Sequence, residues 1–149
     1  MDRRNFLDLS VKGFSLASLA SFNPFSIGQV MAEEEFKWPH EQFKYELGDF
    51  TLKNGSVLKD AFLLVDTHGT LNKDKSNVIV YPTCYAGNHY LNRGSLGLDR
   101  AMDPSKYFII IPNMIGCGQS SSPSNTASPQ DGPRFPDVSY WDNIEAQYR

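Results

Sequence analysis

The sequence predicts an α/β fold in which a β-hairpin is followed by parallel central strands, and three observations predict it. Two alternating segments flank an Asn54-Gly55 dipeptide. Two unbroken apolar runs, Val78-Ile79-Val80-Tyr81 and Tyr107-Phe108-Ile109-Ile110-Ile111, each stop at a proline, Pro82 and Pro112, and hand over to small, polar, glycine-containing stretches. Between them lie residues 83–106, room enough for the crossover that joins parallel strands. Buried strands that open into such loops at their carboxyl ends are how open α/β sheets build sites.

In chain order, residues 33–46 mix charge with Phe36, Trp38 and Phe43 without a period and read as an irregular arm. Phe50-Thr51-Leu52-Lys53 and Ser56-Val57-Leu58-Lys59 then alternate around Asn54-Gly55, a pair that favours a type I′ turn because both central residues need positive φ. Asn54-Gly55-Ser56 also matches the N-glycosylation pattern, but turn chemistry explains it without a sugar. The second strand continues through Ala61–Val65, and Thr67-His68-Gly69-Thr70-Leu71-Asn72 turns the chain. His68, beside a glycine, reads as a surface or hydrogen-bonded histidine, since no catalytic partner is visible. The β-branched run from Val78 suits burial on both faces. Residues 91–102 are expected to be partly helical, and Asp103-Pro104-Ser105-Lys106 restarts the sheet. Gly116–Pro136 is almost all Gly, Ser, Pro, Asn, Thr and Gln, a length that is either functional or disordered. Its position between a strand end and a helix start favours function. Ser139 with Asp142 three residues on resembles a capping box opening a final helix.

Composition narrows the class. A chain of 149 residues, 40 % hydrophobic and 13 % aromatic, is ordinary for one globular core. The net charge of -3, from 14 basic and 17 acidic residues, comes without a basic stripe, so nucleic acid is not an expected partner. Cys84 and Cys117 are too few for a disulfide scaffold and lack CxxC spacing, which excludes zinc-ribbon and thioredoxin-type motifs.

Residues 1–32 read as an address. Arg3-Arg4 precede a modestly apolar stretch, Phe14–Ala20, and Val30-Met31-Ala32 offers a signal-peptidase site, with cleavage after Ala32. Arg3-Arg4-Asn5-Phe6-Leu7 resembles the twin-arginine export motif, with Arg3, Arg4, Phe6 and Leu7 at its fixed spacing. Asp2 stands where Ser or Thr is usual and Asp8 where Lys is common. The rival is an amphipathic amino-terminal helix, since Lys12 interrupts the apolar stretch. Export implies the twin-arginine machinery and signal peptidase as partners and a periplasmic location; without it the chain stays cytoplasmic. No window approaches the ~18 apolar residues of a membrane span.

Six signposts then carry a resemblance: Thr67–Asn72, Asn77–Thr83, Asp103–Ile110, Pro112–Gly116, Ser120–Ser124 and Phe135–Ser139. In this order and spacing the chain resembles the homoserine O-acetyltransferase branch of the α/β-hydrolase superfamily, from Leu47 to Gln147. The resemblance implies the amino-terminal part of an α/β-hydrolase fold, a serine nucleophile, and acyl transfer from an acyl-CoA or hydrolysis of an ester. It implies no resident cofactor, with acyl-CoA as co-substrate in a transacetylase, and a small-molecule ester or acyl acceptor as substrate. An oxyanion hole in this superfamily takes one backbone N–H from the loop after the third strand. By alignment the donor is Cys84, with Tyr85 next, and Asn113, Gly116, Cys117 and Gly118 form the facing pocket loop. Two features depart from the pattern. Pro82 stands where the family often has His, and Gly-x-Ser-x-Gly is nowhere in the chain, which puts the triad after Arg149. No catalytic residue is therefore expected within these residues, and the chain alone is expected to be inactive.

Other readings of the same residues are weaker. A Cys84 nucleophile paired with His89 lacks an orienting acid. Cys84 and Cys117 form either a disulfide, in an oxidising compartment, or two buried free thiols. Metal binding by His89 with Cys84 lacks the usual ligand count. Gly116–Ser121 lacks the Lys and spacing of a P-loop. An exported, non-catalytic binding module would expose an unfinished sheet edge, an aggregation hazard.

Overall fold

Two long strands carry the first half of the architecture. β1 (His40–Thr51) and β2 (Val57–His68), each 12 residues, pair antiparallel. The computed structural model describes residues 36–149; Arg3, Arg4, Phe6, Leu7 and the cleavage position after Ala32 lie outside the described residues. β1 starts at His40, inside the segment expected to be irregular. As the edge strand of the sheet it is exposed along most of its length, so no buried alternation marks it; backbone pairing with β2 makes it a strand.

The turn also differs from expectation. Leu52 C=O accepts from Gly55 N–H (2.9 Å), Leu52 N–H donates to Ser56 O (2.8 Å), and only Gly55 takes a positive φ, of 86°. A left-handed glycine thus closes the loop in place of a type I′ pair. Asn54 instead caps locally, its Oδ1 accepting from the Ser56 N–H (2.9 Å). Further along the hairpin the register shifts on both sides of Gly48 (φ 66°), and Asp60 has φ 47°. These bulges reset the alternation, so Leu58 and Ala61 both reach the core although they are three apart.

β3 (Val78–Val80) and β4 (Phe108–Pro112) pair in parallel, as expected, and the sheet order is β1-β2-β4-β3. β4 is the buried central strand. Its Ile109 and Ile111 pack with Leu96, Ile79 and Tyr81 on one face, while Ile110 turns to the opposite cluster of Phe50, Leu58, Leu63 and Val65. β3 is not central among the described residues: Val80 is 55 % exposed, because nothing described covers that edge. The crossover holds a shorter helix than expected, α1 (His89–Arg93). Gly94 caps it and Gly97 N–H bonds Met102 O (3.1 Å), so the remainder runs as turns.

The serine-rich loop is ordered because its hydroxyls replace a strand. Where β4 ends, β2 would have bare backbone groups; Ser120 Oγ accepts from Leu64 N–H (2.9 Å) and Ser121 Oγ from Phe62 N–H (2.9 Å). Ser120 Oγ also donates to Asn113 O (2.6 Å), and Ser120, Ser121 and Ser122 are all buried. These serines satisfy backbone that would otherwise cost ~1–3 kcal/mol per orphaned group. The last helix, α2 (Tyr140–Tyr148), opens with the expected capping box, Ser139 with Asp142. Asp142 also accepts the Lys53 N–H (2.6 Å), and Asn143 accepts the Ile115 N–H (2.7 Å), which ties α2 to the hairpin and to the loop after β4.

Candidate functional site

The loop after β3 leaves the sheet at Tyr81 and is gripped at its start by the end of β4. Thr83 N–H donates to Pro112 O (3.2 Å), and Thr83 Oγ1 accepts the Met114 N–H (3.1 Å). Cys84–Gly87 then forms a tight turn closed by Gly87 N–H to Cys84 O (2.9 Å). Ala86 takes φ 61°, a left-handed conformation that costs an L-residue ~1–2 kcal/mol. Gly87 packs closely against the turn: a Cβ there would lie 2.6 Å from Cys84 Sγ, so a larger residue would force the Cys84 side chain to move. Among the described residues neither Cys84 N–H nor Tyr85 N–H donates to a backbone carbonyl. Both donors therefore remain available at the carboxyl end of the sheet.

Beside this turn lies an open cleft of ≈ 700 Å³, bounded by Tyr85 and Ala86, by Met114–Cys117, and by Phe135–Tyr140. Of the residues expected to form the pocket loop, Gly116 and Cys117 line this cleft. Asn113 and Gly118 do not: Asn113 is fully buried beneath the loop, and Gly118 N–H is taken by Ser122 Oγ (2.7 Å). Cys84 and Cys117 are both free thiols, and Cys84 is exposed, not buried. Burial pushes the Cys117 thiol up, and the nearby Ala86 backbone N–H only partly opposes it.

His89 is not a base for Cys84. Its ring is fully buried and both nitrogens are engaged elsewhere: Nδ1 lies 3.1 Å from Asn113 Oδ1, and Nε2 lies 2.9 Å from Gln42 Nε2. Asn113 Nδ2 donates to Leu64 O (2.9 Å), which fixes the amide so that its Oδ1 accepts. His89 therefore carries its proton on Nδ1. Burial lowers its pKa, a change the Asn113 hydrogen bond partly offsets.

On the same face of the sheet, sequence reasoning missed a buried charge cluster. Asp66, fully buried, accepts from Arg93 Nε and Nη2 (both 2.9 Å) and lies 3.0 Å from His68 Nε2 and 2.7 Å from His40 Nε2. Burial alone would raise the Asp66 pKa, but hydrogen bonds from His68, Arg93 and His40 outweigh it and hold the carboxyl well below the usual carboxylate range. The Trp38 indole N–H donates to His68 Nδ1 (3.0 Å), so the His68 proton sits on Nε2, aimed at Asp66. His68 is thus a fully buried member of a network and not a surface residue. The available signal was an Asp and a His inside the apolar run ending β2, since buried charges require partners. His40, Asp66 and His68 also offer three metal-ligand atoms within 4.8 Å of one another. The donor set does not fit a cation: the Arg93 guanidinium holds both carboxylate oxygens, and both His68 nitrogens are committed.

An antiparallel hairpin leading into parallel strands in the order β1-β2-β4-β3, with a donor-bearing loop after β3, corresponds to the amino-terminal part of an α/β-hydrolase fold. Within that superfamily the chain resembles the acetyl esterase and homoserine O-acetyltransferase branch. It is 44 % identical over 124 residues to a probable esterase of Corynebacterium glutamicum, covering 80 % of this chain and 36 % of the relative. It is 44 % identical over 103 residues to the ethyl acetate hydrolase of Pseudomonas veronii, covering 68 % and 30 %. It is 34 % identical over 112 residues to the homoserine O-acetyltransferase of Sulfurimonas autotrophica, covering 64 % and 30 %. The solved structure of the acetyl esterase MekB superposes with a TM-score of 0.70 at 41 % identity, over 72 % of this chain and 32 % of that one. The chain spans about a third of the length of these relatives. No family model matches it.

Proposed function

We propose that this chain supplies the oxyanion loop of a serine-nucleophile α/β-hydrolase that cleaves small acyl esters, with acetyl as the acyl group. The observation that carries the reading is the Cys84–Gly87 turn: two uncommitted N–H groups, at Cys84 and Tyr85, at the carboxyl end of a parallel strand and beside an open cleft. Donors aimed at a developing oxyanion need no particular side chain, and each is worth ~2.7–4 kcal/mol of transition-state stabilisation. Acetyl chemistry appears in the names of the Pseudomonas veronii and Sulfurimonas autotrophica relatives and of MekB, and the two esterases, at 44 % identity, stand nearer than the acetyltransferase at 34 %. Hydrolysis is therefore the favoured reaction over transfer from an acyl-CoA, which is the second reading. The nucleophile elbow, Gly-x-Ser-x-Gly, is absent from the 149 residues, which span about a third of the relatives' length; in this reading the serine nucleophile comes from the part of the fold that these residues do not cover. The resemblance of Arg3-Arg4-Asn5-Phe6-Leu7 to the twin-arginine motif supports a periplasmic location for the hydrolase in this reading, away from cytoplasmic acetyl-CoA.

The test compares p-nitrophenyl acetate hydrolysis by the 149-residue chain and by the polypeptide extended through the first downstream Gly-x-Ser-x-Gly segment and its Asp and His. Turnover only in the extended protein, without acetyl-CoA, is expected. Strict dependence on acetyl-CoA and an alcohol acceptor would transfer the reading to the acetyltransferase. Turnover by the short chain, abolished by Cys84→Ser, would overturn it.

A further inference from the structure

The loop from Thr83 to Asn88 is held at both ends by one short segment. Its start is bonded to Pro112 and Met114, as described above. Its end is bonded to the residue between them: Asn113 Oδ1 accepts both the His89 backbone N–H (3.0 Å) and the His89 Nδ1–H (3.1 Å). Asn113 is in turn anchored three ways, by its own N–H and its Nδ2 to Leu64 O (both 2.9 Å) and by its C=O from Ser120 Oγ (2.6 Å). Gln42, on the outer strand, closes the far side of the His89 ring. Neither Asn113 nor His89 has any exposed surface or lines the cleft.

We infer that His89 and Asn113 form a latch that positions the Cys84 and Tyr85 N–H groups, acting through the loop and not on the substrate. Its catalytic consequence rests on the oxyanion reading above; its mechanical one does not. The left-handed Ala86 is a conformation that persists only where its surroundings enforce it. A six-residue loop clamped at 83 and at 89 onto residues 112–114 meets that requirement. Without the latch the turn is free to relax, and the Cys84 and Tyr85 N–H groups lose their fixed positions.

Two measurements on His89→Ala, His89→Asn and Asn113→Ala separate the latch from its consequence. The first is amide hydrogen exchange of Gly87 in the 149-residue chain, with Leu58→Ala, remote from the loop, reporting what global destabilisation alone does. His89→Ala and Asn113→Ala are expected to speed Gly87 exchange on the order of 10-fold beyond the change at Leu63, while Leu58→Ala speeds both alike. Asn keeps a donor where the Nδ1–H stood, so His89→Asn is expected to restore most of the protection. The second is ester turnover in the extended protein, where kcat is expected to fall with KM nearly unchanged in the Ala variants, and to recover in His89→Asn. Gly87 exchange that follows Leu63 in every variant would overturn the latch. Selective Gly87 exposure in a protein whose parent hydrolyses no ester would uphold the latch and sink the oxyanion reading alone.

Discussion

Asp66→Asn isolates the charge in the buried cluster, because it conserves size and removes only the negative charge and one acceptor. Arg93 has a side chain 12 % exposed and directs two N–H groups at the carboxylate, so the substitution leaves a guanidinium with no counter-charge. The new amide N–H₂ also points at one of the donors on Arg93, His68 or His40. Removing one partner of a buried ion pair costs ~3–5 kcal/mol, against a typical total stability of ~5–15 kcal/mol. Urea unfolding followed by tryptophan fluorescence measures the loss, and Trp38, bonded to His68, reports on the cluster itself. The pH dependence supplies an independent sign. The folded-state pKa of Asp66 lies below its ordinary 3.8, so its contribution is complete above about pH 4 and is lost as pH falls into the acid range. In the variant that acid limb should flatten. Asp66→Leu combined with Arg93→Leu should cost less than Asp66→Leu alone, since an apolar pair leaves no stranded charge. A loss below about 1 kcal/mol with the acid limb intact would refute the assignment of Asp66 as the charge that holds Arg93.

Two further outcomes follow from close contacts and exposure. Gly69→Ala should destabilise by several kcal/mol, on the order of ~3 or more, because a Cβ would stand 2.2 Å from Tyr107 O and 2.5 Å from Pro104 O at φ 88°; thermal unfolding by circular dichroism reads the shift. Iodoacetamide at pH 8 should label Cys84 well before Cys117, whose half-buried thiol is pushed up by burial, and mass mapping of the adduct checks the order.

The parallel strands were legible because unbroken β-branched runs bounded by Pro82 and Pro112 have few other solutions. The α2 capping box was legible because its chemistry is local, a hydroxyl and a carboxylate three residues apart. β1 was not, since an exposed edge strand needs no apolar period and becomes a strand only by pairing with β2. The Asn54-Gly55 turn was located correctly but given the wrong type, because the bulges around Gly48 and Asp60 set the twist that the turn must match.

At the site the division is sharper. Local sequence by itself determined where the loops after β3 and β4 begin, and that small residues such as Gly87 permit a tight turn. Only the tertiary structure decided that Asn113 is a buried anchor and not a pocket wall, that His89 faces Asn113 and not Cys84, and that Ser120 and Ser121 complete β2. It also brought His40, Asp66, His68 and Arg93 together from three separate elements. The physical reason is common to all of them. A strand or a cap is specified by neighbours along the chain, whereas a buried polar group is specified by the partner that neutralises it, and that partner is found only once the sheet has closed.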